Sequence, residues 1–215
     1  METWDNLAAI SLAQSRTYRP ESKDWEKAYT DALLATRLAP FNADFRETFA
    51  RVYIAKQFDI PDGDPVLLPW LREAEDQYRR AIALRPNWPY GYLGLSYVLR
   101  RQVRLDAEYE KSLRDAVHHG PWEPVVLSSV VGLNLDVLHK LSPSTREFVL
   151  ETLRRGQAWT QDSQGRPVPH GNAIWRVVTK RHKEMLVCSW LRVDTPLLRQ
   201  RCQPTISPVI PRSTS

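Results

Sequence analysis

Several features that mark particular protein classes are scarce or missing in this sequence of 215 residues. Glycines number only 8, and no apolar run reaches the roughly 18 residues that a membrane-spanning helix needs. Nucleophile-elbow, phosphate-loop and zinc-protease motifs are missing, and the five histidines are scattered. The N-terminus lacks the basic start, apolar core and cleavage site of a signal peptide. The sequence therefore favours a non-enzymatic protein without catalytic residues, cofactor or metal site.

A repeated helical spacing is the strongest positive signal. Ala74, Tyr78 and Ala81 are four and three residues apart and precede Pro86 by five. Residues at that spacing share one helix face, and proline cannot continue the helix. The same spacing recurs at Ala28, Ala32, Ala35 and Pro40, and at Tyr109, Leu113, Ala116 and Pro121. The pattern predicts helical hairpins in which small side chains let neighbouring backbones approach closely.

The spacing of the three prolines indicates a repeat protein. Pro86 and Pro121 are 35 residues apart, close to the tetratricopeptide period of about 34. Pro40 and Pro86 are 46 apart, and the excess falls in residues 58–69, whose prolines and glycine indicate an inserted loop. The chain thus resembles the tetratricopeptide-repeat superfamily over roughly residues 25–155. The resemblance implies an all-α, right-handed helical-repeat solenoid with a C-terminal capping helix.

The helical pattern also predicts how the chain is organised. We expect an N-terminal helix at 1–20, tetratricopeptide-like repeats at 21–158, a C-terminal capping region at 159–202 and a disordered tail at 203–215. Within the repeats, an apolar stretch predicts one helix from Glu123 to Leu141. Within the capping region we expect one helix from Asn172 to Leu191, with one face formed by Trp175, Val178, His182, Met185 and Ser189.

A stack of helical hairpins offers a concave groove lined by the first helix of each pair. The predicted lining residues are Asp44, Glu47 and Arg51 from one pair and Tyr90, Leu93, Tyr97, Arg100 and Arg101 from the next. Tyrosine and arginine are enriched at binding hot spots, and such a groove suits an extended peptide or a helix of a partner. The alternative is that the tyrosines are packing residues. Some domains of this kind hold the C-terminal carboxylate of a chaperone with basic or amide residues. The corresponding positions here are Glu47, Thr48 and Leu93, so we do not expect that ligand.

Positive charge is concentrated towards the C-terminus. Residues 1–120 hold 17 Lys/Arg against 18 Asp/Glu, whereas residues 121–215 hold 13 against 7. The centre of the excess is the cluster of Arg176, Lys180, Arg181 and Lys183. This basic patch predicts either a binder of anionic polysaccharide or membrane surface, or only the solvent face of a capping helix. No nucleic-acid motif accompanies it, so we expect no nucleic-acid partner.

Two smaller features leave alternatives open. Cys188 and Cys202 are 14 residues apart. A bond between them would contribute about 3 kcal/mol in an oxidising compartment, but two unrelated thiols fit the spacing equally well. Asp62, Gly63 and Asp64 look like half of a calcium loop. The remaining ligands and the closing glutamate are missing, so we interpret them as a turn.

A second resemblance rests on residues 85–155. Its carriers are RPNWPY at 85–90, the D-A-E-Y-x3-L-x2-A helix at 106–116 and G-P-W-E-P at 120–124, with the late Val187 and cysteines. They resemble VpsP-like proteins of bacterial exopolysaccharide gene clusters, although G-P-W-E-P by itself also suits the end of one helix and the start of the next. The resemblance implies a disulfide between Cys188 and Cys202 and a periplasmic location beside the inner membrane.

The same resemblance implies a partner and an anchor. The partner would be a membrane polysaccharide polymerase, ligase or export component, bound by a scaffold that performs no chemistry itself. Relatives of this kind carry an N-terminal membrane anchor, and this chain starts after the point where such an anchor would end. A cytoplasmic location is the alternative expectation.

Overall fold

The computed structural model describes residues 22–55, 60–158, 169–190 and Cys202. Within these ranges the chain has nine α-helices, two short 3-10 helices and no strand, which confirms the all-α prediction. The α-helices are α1 (Ser22–Leu38), α2 (Ala43–Ala55), α3 (Leu68–Leu84), α4 (Pro89–Arg101), α5 (Ala107–His119), α6 (Pro124–Asn134), α7 (Pro143–Ala158), α8 (Pro169–Lys180) and α9 (Glu184–Trp190). The 3-10 helices are Pro65–Leu67 and Leu138–Lys140. None of the described helices combines the length and apolar character needed to cross a membrane.

Each helix packs against its neighbours in chain order. Every consecutive pair from α1 to α9 is in contact, and α2 with α4, α4 with α6, α5 with α7 and α6 with α8 are in contact as well. One continuous apolar core joins these pairs. The predicted N-terminal helix at 1–20 and the tail at 203–215 lie outside the described residues, as do 159–168 and 191–201.

The repeated spacing found in the sequence does face the core. Its buried members are Ala28, Ala32, Ala74, Tyr78, Ala81, Tyr109, Leu113 and Ala116, while Ala35 is half-buried. Burying a large apolar side chain contributes roughly 1.5–3 kcal/mol. Helices α1, α3 and α5 end two residues before Pro40, Pro86 and Pro121, as expected. Pro89 and Pro124 begin α4 and α6, at positions where a missing N–H costs nothing.

A glycine sets the distance between α3 and α4. A Cβ added to Gly94 would lie 2.1 Å from Cε1 of Tyr78, whose ring is buried. No side chain larger than hydrogen fits there without moving that ring. This hairpin is therefore held together by a glycine on α4 and by Ala74 and Ala81 on α3.

The start of α7 is capped by a residue of another helix. Glu110 on α5 accepts hydrogen bonds from Ser142 N at 2.9 Å, from Ser142 Oγ at 2.8 Å and from Thr145 Oγ1 at 2.6 Å. Partial burial acts to raise the pKa of Glu110, but these hydrogen bonds outweigh it and lower the pKa below the ordinary 4.5. A carboxylate at a helix N-terminus also interacts favourably with the helix dipole.

The prediction of one helix from Glu123 to Leu141 is wrong. Helix α6 ends at Asn134, and a turn leads into the 3-10 helix Leu138–Lys140. Asn134 is fully buried, where its Nδ2 donates to Val130 O at 2.7 Å and its Oδ1 accepts from Tyr109 OH at 2.8 Å. These buried hydrogen bonds satisfy the Asn134 amide at the point where α6 gives way to the turn.

The prediction of one helix from Asn172 to Leu191 is also wrong. Helix α8 ends at Lys180, His182 adopts a φ of 52°, and α9 starts at Glu184. Lys183 N donates to Val178 O and His182 N to Thr179 O, which is the hydrogen-bond pattern of a Schellman cap. The predicted apolar face does not form, and Met185 is 88% exposed.

Candidate interaction surface

The predicted groove residues of α2 gather around Arg85. Its Nη2 lies 2.7 Å from Asp44 Oδ1 and 3.2 Å from Glu47 Oε1, and Arg51 Nη2 lies 3.2 Å from Glu47 Oε2. The Arg85 guanidinium also stacks 4.2 Å from the centre of the Trp88 ring. These contacts join the start of α2 to the turn between α3 and α4.

Burial dominates the electrostatics of this first cluster. The Glu47 side chain is 3% exposed, and burial raises its pKa above 4.5 even though Arg51 and Arg85 act to lower it. Burial likewise raises the pKa of Tyr78 to about 12. Arg51 acts to lower this pKa, whereas Glu47 and Tyr97 act to raise it, so all three side chains lie near the Tyr78 hydroxyl. Tyr78 thus links the α2 residues to α4.

The predicted groove residues at the end of α4 gather around Asp62. Arg100 Nη1 donates to Asp62 Oδ2 at 2.8 Å, and Arg101 Nε lies 2.8 Å from Oδ1. Arg101 Nη2 donates to Ile60 O at 2.8 Å, and Gly63 N donates to Arg101 O at 2.9 Å. The segment from Ile60 to Asp64, here called the Asp62 loop, is therefore fastened to the C-terminal end of α4.

The cap of α4 against which the Asp62 loop packs is strained. Val103 has a φ of 59°, in the left-handed region that β-branched residues rarely adopt. Arg104 N donates to Leu99 O and Val103 N to Arg100 O, so this too is a Schellman cap, formed without glycine. A Cβ on Gly63, which has a φ of 84°, would lie 2.7 Å from Val103 Cγ2, so glycine at this position leaves room for that side chain.

The predicted groove residues differ in exposure. Asp44 is exposed, whereas Arg51, Tyr90, Leu93, Tyr97 and Arg100 are half-buried. Tyr90 is near Glu123 of the next turn, and burial together with that carboxylate raises the pKa of Tyr90. Glu47 and Arg101 are buried, at 3% and 8% exposure, because each lies between helices and its ion-pair partners. These two side chains therefore offer little surface for a partner to contact. That the remaining residues bind a partner stays a prediction.

The structure divides the predicted basic patch in two. Arg176 and Lys180 are exposed on the last turns of α8. Arg181 and Lys183 follow the end of that helix and pair with Asp136, the Lys183 Nζ at 3.5 Å from its Oδ1. Because Arg181 and Lys183 lie beyond the helix and share one carboxylate, the four residues do not form one uniformly basic helix face. That they bind an anionic surface stays a prediction.

The two cysteines and the Asp62–Asp64 turn have clear places in the structure. Cys188 and Cys202 lie at disulfide distance, with Cα atoms 5.5 Å apart, within the range that a disulfide requires. Asp64 Oδ1 accepts from Val66 N at 2.9 Å and so caps a 3-10 helix, while Asp62 is held by two arginines. The described part of the chain contains no group of three His, Cys, Asp or Glu residues that could hold a metal.

Three participants in these clusters were not singled out from the sequence. Arg85 appears in the RPNWPY segment, but nothing local indicates that it reaches α2, 38 and 41 residues away. Asp62 was interpreted only as part of a turn, and Tyr78 only as a packing residue. No model of a known protein family matches the chain, and no curated protein matches it either.

Proposed function

We propose that this chain is a tetratricopeptide-like right-handed helical-repeat protein that acts as a non-enzymatic scaffold. Packing in chain order, the period of the prolines and the burial of the repeated small residues support this architecture. A further support is the spacing of Tyr90, Leu93, Gly94 and Tyr97. It matches the W-x2-L-G-x2-Y consensus of a first repeat helix, with tyrosine in place of tryptophan.

The observation that carries the proposed binding role is the surface shared by α2 and α4, which are in direct contact. Arg51 on α2 and Tyr97 on α4 are half-buried near Tyr78, and Arg100 at the end of α4 binds Asp62. Ion pairs already hold Arg51 and Arg100 in place, so binding would cost less side-chain entropy than it costs for mobile arginines. Half-buried tyrosines and arginines are the residue types most often found at the centres of interfaces.

The resemblance to VpsP-like proteins supplies the proposed context. The scaffold would stand in the periplasm beside the inner membrane and dock a polysaccharide polymerase, ligase or export component on the α2–α4 surface. The approach of Cys188 and Cys202 to disulfide distance supports an oxidising compartment.

Site-specific photocrosslinking in the native host tests this proposal. A photoreactive phenylalanine analogue replaces Tyr97, since it preserves the ring. The control places the analogue at Lys111 on α5, whose side chain is 74% exposed. We expect a membrane-protein adduct at Tyr97 and none at Lys111. Equal adducts at both positions, or none at Tyr97, would remove the α2–α4 surface as the docking site.

A second candidate function is binding of an anionic polysaccharide or membrane surface. The exposure of Arg176 and Lys180 favours it, whereas the pairing of Arg181 and Lys183 with Asp136 reduces the available charge. The variant Arg176→Glu/Lys180→Glu should then lose binding to anionic vesicles while the Tyr97 adduct persists. Retained vesicle binding by the variant would reject this second role.

A further inference from the structure

The end of α1 and the turn that follows it expose large apolar side chains. Leu38, the last residue of α1, is 77% exposed, and Phe41 in the turn is 85% exposed. Leu34 lies one helical turn before Leu38 on the same face and is 53% exposed. We propose that this surface, here called the Phe41 patch, joins two copies of the chain in a two-fold symmetric dimer. The patch consists of Leu34, Leu38, Phe41 and Leu84. The dimer goes beyond the proposed scaffold role and does not depend on it.

The Phe41 patch is continuous and has the shape of a knob beside a hole. An open cavity of about 560 Å³ is lined by residues 38–44, Leu84 and Arg85. Leu38, Phe41 and Leu84 all border it, so the ends of α1 and α3 contribute to one apolar surface. A two-fold symmetric interface uses the same surface of both protomers. The exposed Phe41 ring of each protomer can therefore enter the cavity of its partner, and buried aromatic rings in pockets carry much of the energy of interfaces.

Charge favours a second copy as the occupant. Arg37, in the last turn of α1, is exposed and has no ion pair with another residue in the part of the chain that the structure describes. Asp44, in the first turn of α2, is 61% exposed although it pairs with Arg85. Phe41 lies between Arg37 and Asp44 in the chain, so a two-fold axis beside Phe41 sets Arg37 of each protomer against Asp44 of its partner. A patch with a cation at one end and an anion at the other is complementary to itself.

The position of the patch explains why it needs a cover. Helix α1 is the first helix of the described part, and end repeats of helical-repeat proteins keep polar surfaces to stay soluble. The Phe41 patch departs from that rule, and contiguous exposed apolar surface marks interaction sites. Residues 1–21, which precede α1 and lie outside the described part, are the competing occupant, because Trp4 and Leu7 could supply apolar side chains.

Sedimentation equilibrium of the full chain tests the dimer. We expect reversible association with a dissociation constant below about 100 μM. Phe41→Glu should raise that constant at least about tenfold, since each dimer contains the substitution twice. Met185→Glu is the matched control, because it places the same charge at an apolar side chain that is 88% exposed on α9, and it should leave the constant unchanged. Circular dichroism checks that both variants fold, and Leu38→Glu provides a second variant within the patch.

Mixing two charge variants tests the two-fold arrangement. Arg37→Asp sets two carboxylates against each other in the dimer, and Asp44→Arg sets two guanidiniums against each other. Each variant alone should therefore associate at least about tenfold more weakly than the unsubstituted protein. An equimolar mixture should restore association, since every pair across the axis then joins opposite charges.

Three results would each overturn the inference. They are an unsubstituted protein that stays monomeric up to about 100 μM, equal effects of Phe41→Glu and Met185→Glu, and no restoration on mixing. In the first case, a lower Tm of Phe41→Glu than of Met185→Glu would assign the patch to a cover within the chain, such as residues 1–21. Equal Tm values would assign it to a partner of other chemistry.

Discussion

Replacing Gly94 with alanine tests the close packing of α3 against α4. The new Cβ would lie 2.1, 2.3 and 2.7 Å from three ring carbons of Tyr78, whereas carbon atoms pack best at about 3.5–4.0 Å. The ring is 5% exposed and surrounded by the core, so relief requires the helices to separate. Overpacking of this kind typically costs about 1–3 kcal/mol, and so severe a clash belongs at or above the upper end.

The net effect includes a gain in helix propensity. Alanine is better than glycine inside a helix by about 1 kcal/mol, so we expect Gly94→Ala to lower the free energy of unfolding by about 2 kcal/mol. For a chain of this size that corresponds to a fall in Tm of about 4–8 °C. Urea denaturation followed by circular dichroism would measure the loss directly.

A second glycine of α4 provides the control. A Cβ on Gly91 would lie 3.1 Å from Cγ1 of Ile82, a side chain that can shift, so the gain in propensity should balance the strain. Gly91→Ala should therefore change stability by less than about 0.5 kcal/mol. In a Tyr78→Leu background, Gly94→Ala should cost much less than it does alone. A Gly94→Ala protein as stable as the unsubstituted one would refute the described approach of α3 to α4.

Three further outcomes follow from contacts in the core and at helix ends. The pKa of Glu110 lies below 4.5 in the folded state, so its contribution to stability is present above pH 4.5 and is lost as the pH falls further. The variant Glu110→Gln lacks this contribution, so its Tm should fall less steeply below pH 4.5 than the Tm of the unsubstituted protein. His182→Gly should raise stability by about 1 kcal/mol in thermal melts, since glycine accepts the left-handed conformation, whereas His118→Gly within α5 should lower it by about 0.5 kcal/mol. Tyr109→Phe leaves the buried Asn134 oxygen without its hydroxyl donor and should cost about 1–3 kcal/mol in urea denaturation, so an unchanged midpoint would deny that hydrogen bond.

The faces of the helices could be predicted because they depend on local spacing. Ala74, Tyr78 and Ala81 share a face in any helix, and Pro86 limits the helix whatever lies nearby. The glycine at 94 could have been recognised from the same information, since Leu93, Gly94 and Tyr97 stand at consensus spacing. The pattern could not predict which side chain packs against Gly94, namely the Tyr78 ring on the preceding helix.

The two helix breaks were missed because their residues give no warning. Schellman caps are usually marked by glycine or asparagine, and the cap between α8 and α9 has His182 there instead. Asn134 lies within an apolar stretch whose spacing predicts one continuous helix. Its effect depends on Tyr109, which is 25 residues earlier in the chain.

The charged clusters were beyond sequence reasoning for a different reason. Asp62 meets Arg100 38 residues later in the chain, and Arg85 meets Asp44 across 41 residues. Side chains of this length have many possible partners of opposite charge. Only the folded arrangement of the turns determines which partner each charged side chain contacts. The burial of Glu47 and Arg101 depends on those contacts, so it could not be inferred from the sequence.

Packing in chain order has a mechanical consequence. Since contacts run chiefly between helices that follow one another or are two apart, a pulling force on one end meets only a few interfaces at a time. Under force, such a protein should unfold in steps of one or two helices, and it should refold in the same steps when the force is released. The α2–α4 surface would then come apart early or late depending on which end bears the load.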